Sequence, residues 1–190
     1  MDADVLSRLR VATRDAHEQL ETRLDILSRI GSGESRRELV ERFHGWHGGV
    51  EAALSPVLTQ VAGLDYAGRR RAGVLEADLA ALGGRRQAPA AIPAPTSLPE
   101  ALGMLYVAEG STLGGRVIRK RVAAMGLSHE GLGFLDPYGE EVGARWKSFL
   151  AVLDRECPAH DPAAMDAAVR GGLTGFTQAQ AWLCDPEAVA

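Results

Sequence analysis

Three glycines interrupt an otherwise helical sequence in the middle of the chain, at Gly110, Gly114 and Gly115 within the stretch 106–118, YVAEGSTLGGRVI. Each glycine inside a helix costs roughly 1 kcal/mol relative to alanine. All three together therefore cost about 3 kcal/mol, which the rest of the fold must offset. A helix that keeps them can do what a Cβ forbids. Its backbone can lie directly on a large flat surface, and its weakened hydrogen-bond ladder allows a kink. Close helix packing of the small-xxx-small kind accounts for two glycines better than for three.

The second constraint lies far away in sequence. Leu6, Leu9, Thr13, Ala16, Leu20, Leu24 and Leu27 recur at steps of three and four, the apolar stripe of a long amphipathic helix. At about 100° per residue, Arg10, Arg14, His17 and Glu21 form a line along one margin of that stripe. From spacing alone the plainer reading of His17 is a helix-edge histidine paired with Glu21. A glycine-lined wall elsewhere in the fold favours a different role, in which one ring nitrogen binds a metal and Glu21 takes the proton of the other. Arg10 and Arg14 then stand where they can meet acidic groups on a ligand's rim, unless they are simply solvated charges beside Asp15 and Glu18.

The segment 12–21, ATRDAHEQLE, resembles the proximal-ligand helix of the haem oxygenases, and 109–115 resembles their glycine-rich distal helix. A third segment, FLDPYG at 134–139 followed by Gly143, Trp146 and Phe149, is similar to the family's YGxxxGxxWxxF pattern. The three occur in the family's order and span most of the chain. The wording LYVAEGSTLGGRVI is closest to the bacterial branch, which includes enzymes that supply biliverdin to bacteriophytochromes.

The resemblance implies an all-α, single-domain haem oxygenase-like bundle over residues 1–190, with a kinked glycine-rich distal helix. It implies haem b as both cofactor and substrate, dioxygen as co-substrate, and ring opening to biliverdin with release of carbon monoxide and Fe(II). An external electron donor is implied, such as ferredoxin or flavodoxin with its reductase, with a bacteriophytochrome as a candidate receiver of biliverdin. Carried onto this sequence, His17 is the iron ligand, Glu21 its orienting partner, and Gly110, Gly114 and Gly115 the distal wall. Arg10, Arg14 and Lys147 are candidates for the haem propionates, with Arg116 and Arg145 weaker ones, and Tyr106 and Tyr138 for lining the pocket. Animal members carry an aspartate directly after the first glycine. Here that position is Ser111, so proton delivery falls to Ser111, Glu109 or bound water.

Composition narrows the rest. The chain is 46% apolar but only 5% aromatic, which suits an alanine- and leucine-rich helical protein, and its net charge of -4 argues against general nucleic-acid or anionic-membrane binding. The acidic start MDAD lacks the basic and apolar regions of a signal peptide, and no run of about 20 apolar residues occurs. A cytoplasmic protein with free thiols at Cys157 and Cys184 is expected. Periodicity and breakers predict helices over about 3–30, 34–61, 66–82, 97–125, 140–156 and 162–183, with the proline-rich link at 83–96 as surface loop.

His44 and His47 have metal-compatible spacing, but no Glu-x-x-His pattern repeats to build a di-iron bundle. Two rival functions keep the same helices: a haem-storage or delivery protein without turnover, and a non-haem oxidase in which His17 serves otherwise.

Overall fold

A computed structural model describes residues 4–185. Among the described residues there are seven α-helices, α1 (Val5–Leu24), α2 (Ile26–Ile30), α3 (Gly33–Leu58), α4 (Ala72–Leu82), α5 (Leu98–Ala124), α6 (Val142–Glu156) and α7 (Pro162–Cys184). Single 3-10 turns lie at Ala67–Arg69, Gly133–Leu135 and Gly139–Glu141, and there is no strand among the described residues. The helices share one core in which Leu9, Leu39, Leu54, Leu75, Leu102, Phe149 and Leu183 are fully buried. The all-α class and its kinked helices are as the sequence indicates. Residues 1–3, where the first helix was expected to begin, and 186–190 lie outside the described residues.

Local chemistry sets the helix ends. Asp4 caps α1 by accepting from the Ser7 amide at 2.7 Å, and Asp161 caps α7 by accepting from Ala164 at 3.0 Å. Ser97 caps α5, and Glu100 reaches back to the Thr96 amide at 2.8 Å. The same helix closes on Gly126, whose φ of 70° lets Leu127 donate to Val122 O at 3.1 Å.

Three expectations change. The first helix does not run unbroken to residue 30, because Asp25 adopts a left-handed φ of 39° between α1 and α2, a conformation aspartate tolerates better than most residues. The segment expected as one helix over 66–82 is broken at Arg70, where a buried Glu51 on α3 accepts from the Arg71 and Ala72 amides and starts α4 afresh. The proline-rich link is not a loose loop. It lies along α3, with the Ala90 amide donating to Gly45 O at 2.9 Å, and a Cβ on Gly49 would sit 2.2 Å from Ala90 O. The glycines of GWHGGV are the groove that admits it. Cys157 and Cys184 are both free thiols.

α7 organises the rest. A Cβ on Gly103 would fall 1.9 Å from Ala168 O, and one on Gly171 2.0 Å from Glu100 O, so α5 and α7 approach at a distance only glycine permits. α1 packs on the adjoining face of α7. Contacts climb both helices together, from the Arg8–Asp166 ion pair through Gly172 against Leu9 and Thr13 to Gln180 donating to Ala16 O at 2.8 Å. α1 and α7 therefore run parallel, and α5 climbs α7 in the same sense through Met104 and Val107.

Candidate haem cleft

His17 and the glycine stretch reach the same level of α7 from opposite sides. The His17 ring meets Phe176 edge-on at 5.7 Å between centroids, while Val107, the residue of α5 that crowds Gly175, is one turn before Gly110. Lower down the two flanking helices come together, with the Thr13 hydroxyl and Arg10 beside the half-buried Tyr106 ring. One turn further along each, they part. A Cβ added to Gly110 or Gly114 would meet nothing within 4 Å, against 1.9 Å at Gly103 on the same helix. The exposed apolar side chains Leu113 and Val117 continue that wall. His17 on α1, beside Phe176 of α7, and the uncrowded backbone of α5 at Gly110 and Gly114 are thus the candidate walls of a cleft.

The histidine wall carries the expected residues on its margin. The His17 side chain is 56% exposed, and Glu21 Oε2 lies 3.7 Å from its Nδ1, beyond hydrogen-bond length but within one side-chain adjustment of it. Among the described residues Nε2 of His17 has no hydrogen-bond partner. Arg10 and Arg14 are exposed, with Arg14 Nε 3.6 Å from Asp15, an arrangement that costs little to rearrange. Lys147 is exposed on α6, next to Trp146, whose ring packs on Tyr106 at 6.0 Å.

Two candidates on α5, Gly115 and Glu109, sit differently from the sequence expectation. Gly115 does not face the cleft. It is buried, and a Cβ there would fall 1.8 Å from Leu135 O, so its glycine is required by packing against the turn Gly133–Leu135. One residue beyond Gly114 turns the helix by about 100°, enough to move it from the open wall to the core side. Ser111 is exposed and its hydroxyl donates to Ala108 O at 2.7 Å, as Thr112 does to Glu109 O at 2.7 Å. Such back-bonds, with the glycines, bend a helix. Glu109 turns inward, 1% exposed, and its carboxylate accepts from Arg69, from Arg71 at 3.3 Å and from the Tyr138 hydroxyl at 2.7 Å. That removes it from direct contact with a cleft ligand. Tyr138 is likewise committed, its hydroxyl pushed up to about 12 by burial and by Glu109. Arg116 faces Asp136 at 3.9 Å and Arg145 pairs with Asp65, so neither is directed to the cleft.

Among the described residues no group of three or more potential ligands gathers. His47 is buried against the Phe43 and Trp46 rings, and burial, then Arg71 and His44, hold it well below its ordinary value. Sequence reasoning missed Phe176 and Gln180, which brace the His17 turn. The signal was present in Gly171, Gly172 and Gly175, a second glycine cluster that marks α7 as the helix both walls lean on.

An exposed imidazole on α1 and an uncrowded glycine backbone on α5, both carried by α7, belong to an all-α helical protein. The Heme oxygenase family model matches residues 3–185. The chain belongs to the haem oxygenase family. It is 36% identical over 137 residues to a protein named Heme oxygenase from Xanthomonas campestris pv. campestris (strain 8004), covering 68% of this chain and 81% of the relative. It is 31% identical over 154 residues to Heme oxygenase PigA of Pseudomonas aeruginosa, covering 77% and 76%. The NO- and CO-bound heme oxygenase from Neisseria meningitidis shares the fold, with a TM-score of 0.76 at 22% identity over 95% of this chain and 90% of that one. No helix among the described residues is long and apolar enough to cross a membrane.

Proposed function

We propose that the cleft between α1 and α5 binds haem b as cofactor and substrate, and that the protein opens the ring to biliverdin with release of carbon monoxide and Fe(II). Dioxygen is the co-substrate, and an external donor of the ferredoxin or flavodoxin type, with its reductase, supplies electrons. The observation that supports this reading is that α7 carries both candidate walls at neighbouring positions, with the His17 ring against Phe176 and Val107, one turn before Gly110, against Gly175. The fit to haem rests on an exposed imidazole whose Nε2 has no partner among the described residues, and on glycines where an added Cβ would meet nothing within 4 Å.

When bound, haem supplies the iron and porphyrin at which oxygen reacts. The chain's own residues aim that chemistry. His17 Nε2 ligates, Glu21 closes the 3.7 Å gap to Nδ1 and fixes the ring's orientation, and Phe176 stops the ring from tilting. Gly110 and Gly114 limit the space opposite. Arg10, Arg14 and Lys147 would hold the haem propionates by charge-assisted hydrogen bonds. On the open wall Ser111 is the hydroxyl nearest the glycines in sequence, and its proton, held on Ala108 O, is available for relay through water. A cytoplasmic role that passes biliverdin to a bacteriophytochrome accords with the bacterial wording of the distal helix.

Adding ascorbate, or ferredoxin with its reductase, to the haem complex and following the Soret band tests turnover. Loss of that band with growth of biliverdin absorbance is expected. A Soret band that persists with no biliverdin would favour the storage reading instead.

A further inference from the structure

Three side chains from outside α5 converge on one carboxylate immediately before its glycines. Glu109 is 1% exposed, and the two arginines that face it, Arg69 and Arg71, are 0% and 3% exposed at their side chains. Neither arginine is loose. Arg69 also donates to Leu64 O at 2.6 Å and to Ser148 Oγ on α6 at 2.8 Å, and Arg71 donates to Arg69 O at 2.9 Å. The guanidinium of Arg71 lies 4.5 Å from the Tyr138 ring, whose hydroxyl is the third donor to Glu109.

Burying these charges is costly, and a packed apolar residue would serve plain stability at least as well. The position suggests what they are for. Up to Val107, α5 rests on α7, and from Gly115 it rests on the backbone of Leu135. Between those two supports lie Gly110 and Gly114, where an added Cβ would meet nothing within 4 Å, and Ser111 and Thr112, whose hydroxyls bond back to the ladder. On the inward side of this span Glu109 and Thr112 are buried, and the Glu109 carboxylate is the charged anchor.

We propose that Glu109 is a positioning residue: the Arg69–Glu109–Arg71–Tyr138 cluster clamps the glycine span of α5 at a fixed height over the cleft, so that the space above a bound planar group is set by a charge network outside the cleft. The clamp itself is independent of the ligand. Its consequence for bound haem rests on the function proposed above.

Two variants test it. Glu109→Gln keeps the shape and removes the charge, and Tyr138→Phe removes one donor and leaves both ion pairs. In the haem-free protein, amide hydrogen exchange over 108–118 is expected to accelerate at least about tenfold in Glu109→Gln and by a smaller factor in Tyr138→Phe, with 164–172 of α7 unchanged. In the haem complex, the stretching band of bound carbon monoxide is expected to shift or broaden in both variants, a response that a purely structural cluster would not give. Unchanged exchange over 108–118, exchange that rises equally in every helix, or a carbon monoxide band identical to that of the unmodified protein would each overturn the proposal. Should Glu109→Gln not fold, Tyr138→Phe decides alone on the same criteria. If the unmodified protein bound no haem, the functional reading would fail, while the exchange experiment would still judge the clamp.

Discussion

Gly114 and Gly115 are neighbours in sequence and opposites in structure, so one methyl group added to each should move stability in opposite directions. At Gly114 the new Cβ meets nothing within 4 Å. Gly114→Ala then recovers helix propensity of about 1 kcal/mol without a clash. For a domain of this size that corresponds to a melting temperature higher by roughly 2–4 °C in the haem-free protein. At Gly115 the Cβ would lie 1.8 Å from Leu135 O, a backbone atom that can yield only if the turn Gly133–Leu135 moves. Overpacking costs about 1–3 kcal/mol, and a clash with a backbone carbonyl falls in the upper part of that range, about 2–3 kcal/mol, so after the propensity gain of about 1 kcal/mol a net loss of about 1–2 kcal/mol remains. The melting temperature should fall by roughly 2–8 °C. The assay is thermal denaturation followed by circular dichroism, without haem. Haem then reverses the ranking for Gly114→Ala, because the same methyl projects from the wall on which the porphyrin would lie, and haem should dissociate faster from this variant than from the unmodified protein. Shifts of the same sign and size in the two variants would refute the division of the glycines into an open pair and a packed one.

Other regions give independent checks. His47 is buried in its uncharged form and held below its ordinary value of 6.5, so below that pH the unfolded chain takes up a proton that the folded protein refuses. Stability should therefore fall on acidification, by up to about 1.4 kcal/mol per pH unit for that proton, and urea titrations of His47→Gln should show a shallower loss between pH 6.5 and 5. Asp161→Ala removes the cap of α7 and should cost about 1 kcal/mol, read as a lower urea midpoint with an unchanged slope. Gly49→Ala would push a Cβ against Ala90 O and should lift the proline-rich link from α3, seen as faster proteolytic nicking within 85–96.

Helix placement was legible because periodicity, caps and breakers speak locally. Asp161 with Pro162, Ser97 with Glu100, and Gly126 each mark a helix end on which the structure agrees. The break at Asp25 was not legible, since an aspartate in a left-handed turn carries no pattern that distinguishes it from one in a helix. The break at Arg70 depends on Glu51, twenty residues earlier, and no local rule reports a cap delivered from another helix. At the candidate site, the sequence contained both walls but not which glycine faced which way. The pattern GxxxGG is compatible with three glycines on a ligand, and only the turn at Leu135 shows that Gly115 serves packing. Glu109 reads in sequence as a free acid beside the glycines. Its partners are 38 and 40 residues upstream in Arg71 and Arg69 and 29 residues downstream in Tyr138, so its burial follows from tertiary structure alone.

The most direct test of the account is a haemin titration of the unmodified protein and of His17→Ala, followed by visible and resonance Raman spectroscopy. Saturation at one haem per chain with a histidine-ligated spectrum is expected, lost in His17→Ala and restored when free imidazole is added. Identical spectra for the two proteins, or no saturable binding by the unmodified one, would contradict it.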